Sequence, residues 1–155
     1  MNEITRTTRV IEGIAPGAIP YDELMADEKP VILKGVVKHW PMVQQRSPED
    51  ASEYLKTFYR GQPVLTFIAQ PEHKGRFGYT QDVTQLDFES DRGLLDEYLD
   101  ILVGLLHEEG APTFYIGSTD VDTFLPGFRA ENDLVLNHPM FEANPPLVAA
   151  WIGNQ

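Results

Sequence analysis

The chain has 155 residues, a formal net charge of −12, no cysteine, and apolar and charged fractions of 42% and 23%. That length and balance suit one folded domain with a real core and exclude wholesale disorder. The charge excludes a nucleic-acid or anionic-membrane surface, because both draw their affinity from Lys and Arg. The missing thiols exclude disulfides, a thiolate nucleophile and a zinc–thiolate site.

Met1–Arg6 carries an acid and no apolar stretch of secretory type. Nothing in the sequence approaches the ~20 apolar residues of a membrane span. The expectation is a soluble, cytoplasmic protein. Twelve prolines and twelve glycines point to many turns and short elements rather than a helical bundle.

In chain order, Arg9–Glu12 reads as a weak strand. Pro20–Met25 reads as a short helix with acids in its first turn. Pro30–Gly35 is a short strand. Ser47-Pro48-Glu49-Asp50 is a helix start, with a hydroxyl cap and proline at the first helical position. Ala51, Tyr54, Leu55, Phe58 and Tyr59 then form one apolar face, and Gly61 is the stop. Pro63–Ala69 reads as a strand, with Arg76–Tyr79 as its hairpin partner. A helix is predicted over residues 91–107, with Leu95, Tyr98, Leu99, Leu102 and Leu106 on one face. Thr113–Gly117 is a strand and Asp120–Leu125 a helical turn. Leu147–Gly153, the longest apolar run, reads as a strand buried on both faces. Strands and helices without a regular βαβ rhythm imply an α+β fold.

The candidate chemistry is thin. His39 beside Trp40 reads as a packing residue, His73 as solvated, and His138 as a loop residue before the final strand. His107-Glu108-Glu109 has the form H-x-E, two thirds of an iron-binding facial triad. At the end of a helix, however, positions i and i+2 face away from each other, so His107 reads as a cation at a helix C-terminus. Asp82, Asp87, Asp91, Asp96 and Asp100 read as a solvated face. Ser118 reads as part of a strand end rather than a nucleophile. No phosphate loop, dinucleotide fingerprint or nucleophile elbow occurs. No catalytic residue and no metal ligand is assigned. Tyr115, in mid-strand between Phe114 and Ile116, reads either as a core residue or as a donor pointing into a cavity.

Several segments in order carry a resemblance. Residues 30–41 end in Trp40-Pro41; Arg76-Phe77-Gly78-Tyr79 is followed by Asp87-Phe88 and a leucine-rich helix; then come Phe114-Tyr115-Ile116-Gly117-Ser118 and Ala150-Trp151-Ile152-Gly153-Asn154. Together they resemble cupin-like (JmjC-type) proteins, relatives of the asparaginyl hydroxylase that acts on hypoxia-inducible factor. The resemblance implies helices packed on an incomplete double-stranded β-helix, a jelly roll. It implies Fe(II) and 2-oxoglutarate for the full-length family, with the iron held by H-x-[DE] and a later histidine. None of those ligands lies in residues 1–155, which read as a single domain truncated before the H-x-[DE] motif. No cofactor and no turnover are expected of this chain alone.

The same resemblance carries a cosubstrate-binding role to Tyr115 and places Trp151 and Asn154 at the substrate pocket. Gly117 departs from the glutamine found near that position in the asparaginyl hydroxylase, so substrate contacts do not transfer. A protein substrate is implied. The alternative is a non-catalytic binding or dimerisation module that self-associates through its exposed final strand.

Overall fold

The computed structural model describes residues 7–154. In chain order the elements are β1 (Arg9–Glu12), α1 (Tyr21–Asp27), β2 (Val31–Lys34), α2 (Pro48–Phe58), β3 (Val64–Ala69), β4 (Glu89–Gly93), α3 (Leu95–Leu105), β5 (Thr113–Asp120), α4 (Val121–Phe124), α5 (Pro139–Ala143) and β6 (Ala149–Gly153). Helices and sheets are thus mixed, as expected, and neither sheet closes on itself. The described residues form two compact units, one from segments 7–44 and 132–146, the other from 45–131 and 147–154.

In the first unit β1 and β2 pair in parallel, with Glu12 opposite Lys34. Parallel neighbours need a crossover, and residues 13–30, including α1, supply it. Arg9 pairs with Glu23 of α1 at 2.8 Å. Segment 132–146 is stapled to the earlier residues by hydrogen bonds distant in sequence. The buried Asn132 accepts from the Met42 N–H at 2.9 Å, and the Trp40 indole N–H donates to the Asp133 carbonyl at 3.1 Å. The Tyr21 hydroxyl donates to the Val135 carbonyl at 3.1 Å. His138, predicted to lie in a loop, instead caps α5: its Nδ1 accepts from the Met140 N–H, and its Nε2 lies 3.0 Å from Asp22. Proline at the first helical position and a side-chain acceptor just before it make five residues sufficient for a helix here.

The second unit is an antiparallel sheet in the order β4-β3-β5-β6. Alternation sends Thr66 and its partner Ile116 to one face, where both are fully buried. That face belongs with the core, which includes Val64, Leu95, Tyr98, Leu99 and Leu102. The start of α2 is as predicted: the Ser47 hydroxyl accepts from the Asp50 N–H at 3.1 Å, and Pro48 follows. Lys56 of α2 bridges to Glu53 and to Asp100 of α3. Phe58 packs edge-on against Tyr54 and Phe128.

Three expectations are corrected here. The partner of β3 is β4, not Arg76–Tyr79. Residues 76–88 form a loop pinned where Asp87 accepts from the Gly78 N–H at 2.7 Å, with a single bridge between Tyr79 and Leu86. Asp91 therefore lies in a strand, and α3 begins at Leu95 rather than at residue 91 and ends at Leu105, before His107. Finally, β6 is not buried on both faces. It pairs only with β5 among the described residues, Trp151 is 59% exposed, and Leu147, where the apolar run begins, is 93% exposed. An apolar run reports what a strand can bury; its place at the sheet edge decides what it does bury.

Candidate functional site

The sheet face opposite the Thr66–Ile116 core carries an aromatic row. Phe67 of β3 lies directly across from Tyr115 of β5, and their rings stack with centroids 6.3 Å apart. Tyr115 is flanked by Trp151 of β6 at 5.6 Å and by Phe77 of the 76–88 loop at 5.7 Å. Phe88 closes the cluster, edge-on to both Phe67 (5.5 Å) and Phe77 (5.3 Å). Offset and edge-to-face rings at such distances hold one another in place beyond what area burial alone provides.

Two glycines make the row possible. Between Ile116 and Thr119 the β5–β6 register slips, with one more residue on β5 than on β6, which is a β-bulge. Gly117 sits in it, buried beneath the indole; a Cβ there would lie 2.8 Å from Trp151 Cε3 and 3.4 Å from Tyr115 Cε1. Gly153, opposite Tyr115, has no room either, since a Cβ would meet the Phe114 carbonyl oxygen at 2.9 Å. The glycine that departs from the hydroxylase pattern thus acts here as the floor under Trp151.

Tyr115 is half-buried, and its hydroxyl has no hydrogen-bond partner among the described residues. A phenol held by three aromatic contacts with a free O–H is positioned to donate to a ligand oxygen. Asn154 is differently placed. Its Oδ1 accepts from the Phe114 N–H at 3.0 Å and its Nδ2 donates to the Pro112 carbonyl at 3.0 Å. The side chain is a clamp between the end of β6 and the start of β5. Trp151 and Tyr115 are therefore brought together, while both amide atoms of Asn154 are engaged by backbone.

The aspartates are not simply a solvated face. Besides pinning Gly78, Asp87 lies 3.5 Å from His73 Nδ1. Asp91 accepts from the Tyr98 hydroxyl at 2.7 Å. Burial, and then the bond to Asp91, pushes the Tyr98 phenol above its ordinary range. The same hydroxyl, helped by the Arg92 N–H, holds the Asp91 carboxyl below the usual carboxylate range. These groups lie toward the core face and serve the sheet rather than the aromatic row.

No three His, Cys, Asp or Glu side chains converge as metal ligands among the described residues. Among the described residues, no helix is long and apolar enough to cross a membrane.

Trp40-Pro41, the 76–88 loop, the β5 strand and the Trp151-Ile152-Gly153 edge thus occur in one chain in the order read from the sequence. A cupin-like domain family matches residues 16–155. The chain belongs to that family. No curated protein matches it in sequence. Within this cupin-like chain, Phe67, Phe77 and Phe88 complete the aromatic row around Tyr115 and were not singled out from the sequence. Phe77 and Phe88 stood in the Arg76-Phe77-Gly78 and Asp87-Phe88 segments, but only the register of β3 against β5 sets Phe67 across from Tyr115.

Proposed function

We propose that this cupin-like chain forms the cosubstrate-facing wall of an Fe(II)- and 2-oxoglutarate-dependent hydroxylase related to the asparaginyl hydroxylase of hypoxia-inducible factor. The four-stranded sheet is one wall of a double-stranded β-helix, and the iron ligands lie outside the described residues. Tyr115 donates its hydroxyl to a 2-oxoglutarate carboxylate. Trp151 borders the entrance for a protein side chain, and Asn154 holds the adjoining strand ends together. Residues 1–155 alone neither bind iron nor turn over. The setting is cytoplasmic, and nucleic acid is no partner.

The observation that carries this reading is the unpartnered Tyr115 hydroxyl at the centre of an otherwise apolar aromatic row. The test uses Trp151 as reporter in a Trp40→Phe background of a longer chain that includes the iron ligands, with Fe(II) present and 2-oxoglutarate titrated in. Saturable quenching is expected, weakened roughly 10-fold in Tyr115→Phe, the size of a lost hydrogen bond to a charged group. Identical titrations for Tyr and Phe would remove Tyr115 from the site. Oxygen-dependent succinate release by residues 1–155 supplied with Fe(II) would overturn the placement of the ligands elsewhere.

A second reading, a non-catalytic binding or dimerisation module, is favoured by one observation: β6 is an edge strand bearing an exposed Trp151. Unpaired edges recruit further strands. Light scattering separates the readings, since a discrete symmetric dimer supports the module.

A further inference from the structure

The first unit contains a basic cleft that the proposed hydroxylase site does not use. β1 and β2 run parallel and end side by side at Glu12 and Lys34, so the turns that follow them leave the sheet from the same edge. Crevices outside the carboxyl ends of parallel strands are where open α/β sheets commonly bind ligands. Here the crevice is a cleft of about 380 Å³ lined by Gly13, Ile14, Lys34, Gly35, Lys38 and His39, among others. Both glycines that open the turns have left-handed backbones, Gly13 at φ +76° and Gly35 at φ +79°. They take the chain sharply out of each strand and leave no Cβ there.

The charge of this cleft runs against the chain. In a protein of net charge −12, three basic side chains and no carboxylate line one cavity. Lys34 is tied to Glu12 at 3.0 Å. The side chains of Lys38 and His39 have no hydrogen-bond or ion-pair partner among the described residues, in contrast to Arg9 and Lys29 of the same unit, which are paired with acids. Arginine forks match carboxylate and phosphate alike, and lysine serves phosphate as a compact, strongly hydrated point charge. The cleft offers lysines and an imidazole, with no arginine.

We propose that the cleft at the carboxyl ends of β1 and β2 binds the phosphate group of a small molecule, held by Lys38 and His39 with Lys34 at the rim. The net charge of the chain opposes long-range steering of an anion, so binding is local and sensitive to salt. The proposal does not depend on the hydroxylase reading.

The test is an amide NMR titration of ¹⁵N-labelled protein with inorganic phosphate and with glycerol 3-phosphate, at ionic strength matched with sodium chloride. Succinate serves as the carboxylate comparison. Saturable shifts confined to residues 13–16 and 34–39 are expected. Affinity should fall at least about 10-fold in Lys38→Ala, the scale of one charge-assisted hydrogen bond, and remain unchanged in Lys29→Ala. His39→Gln should weaken binding without altering the spectrum elsewhere, which separates lost contact from lost fold. Linear shifts spread over every lysine, or a Lys38→Ala variant that binds as the parent does, would overturn the site. Equal saturation by succinate would overturn the phosphate assignment. Saturation by glycerol 3-phosphate but not by inorganic phosphate would support a phosphomonoester, and the reverse a free phosphate ion.

Discussion

At the scale of single residues, the glycines and Asn154 fix the aromatic face. Gly153→Ala drives a methyl into the Phe114 carbonyl, a backbone atom that cannot rotate away. Its expected cost is about 1–3 kcal/mol, the range for forced overpacking, read from the urea midpoint. Gly117→Ala meets the Trp151 ring, which is more than half exposed and can swing outward. It should cost less and instead shift the Trp151 emission to the red; a larger destabilisation than Gly153→Ala would contradict this assignment. Asn154→Ala leaves the Phe114 N–H and Pro112 carbonyl without their partners. A loss of about 1–3 kcal/mol is expected for orphaned, partly buried groups, whereas unaltered stability would mean water replaces the clamp.

At the scale of elements, what the sequence disclosed depended on how local the physics was. The cap of α2 was legible because Ser47, Pro48 and Asp50 act within one turn, and Ser47→Ala should cost about 0.5–2 kcal/mol in thermal unfolding. β4 was illegible: Glu89-Ser90-Asp91-Arg92-Gly93 has no apolar residue and is a strand because β3 pairs with it. Tyr115 was legible as a candidate from its place between apolar neighbours, but the phenylalanines around it needed strand register. The Tyr98–Asp91 bond, which joins α3 to β4, gives a pH signature. Asp91 has a lowered carboxyl pKa, so its contribution is complete above the unfolded value and disappears as pH falls through the folded one, below about 4. Tyr98 has a raised phenol pKa, so its contribution is complete below about 10 and disappears as pH rises through the folded value. Denaturation midpoints across pH should therefore decline at both extremes, and Tyr98→Phe should flatten both declines. A variant that retains the two slopes would assign them to other groups.

At the scale of the molecule, the first unit is assembled from segments separated by almost ninety residues, and Asn132 is the buried hinge pin of that closure. Removing its acceptor in Asn132→Ala strands the Met42 N–H. Hydrogen exchange at Met42 should then accelerate while exchange along β3 and β5 does not. Acceleration everywhere would instead make the two units one cooperative block. Composition gives only the net charge of the chain, and it could not foresee that lysines 34 and 38 would line one crevice. Averages conceal placement.

The slipped register between β5 and β6 has a consequence for how this face could be altered. Because one strand carries a surplus position, Tyr115 and Thr119 look toward opposite sides of the sheet despite being an even number of positions apart. Length changes at 117–118 are therefore the cheapest way to re-aim the tyrosine or the indole relative to each other while the core threonine stays where it is. Shortening by one residue would straighten the ribbon, and lengthening would deepen the kink, so the spacing between the two rings is adjustable without rewriting either strand.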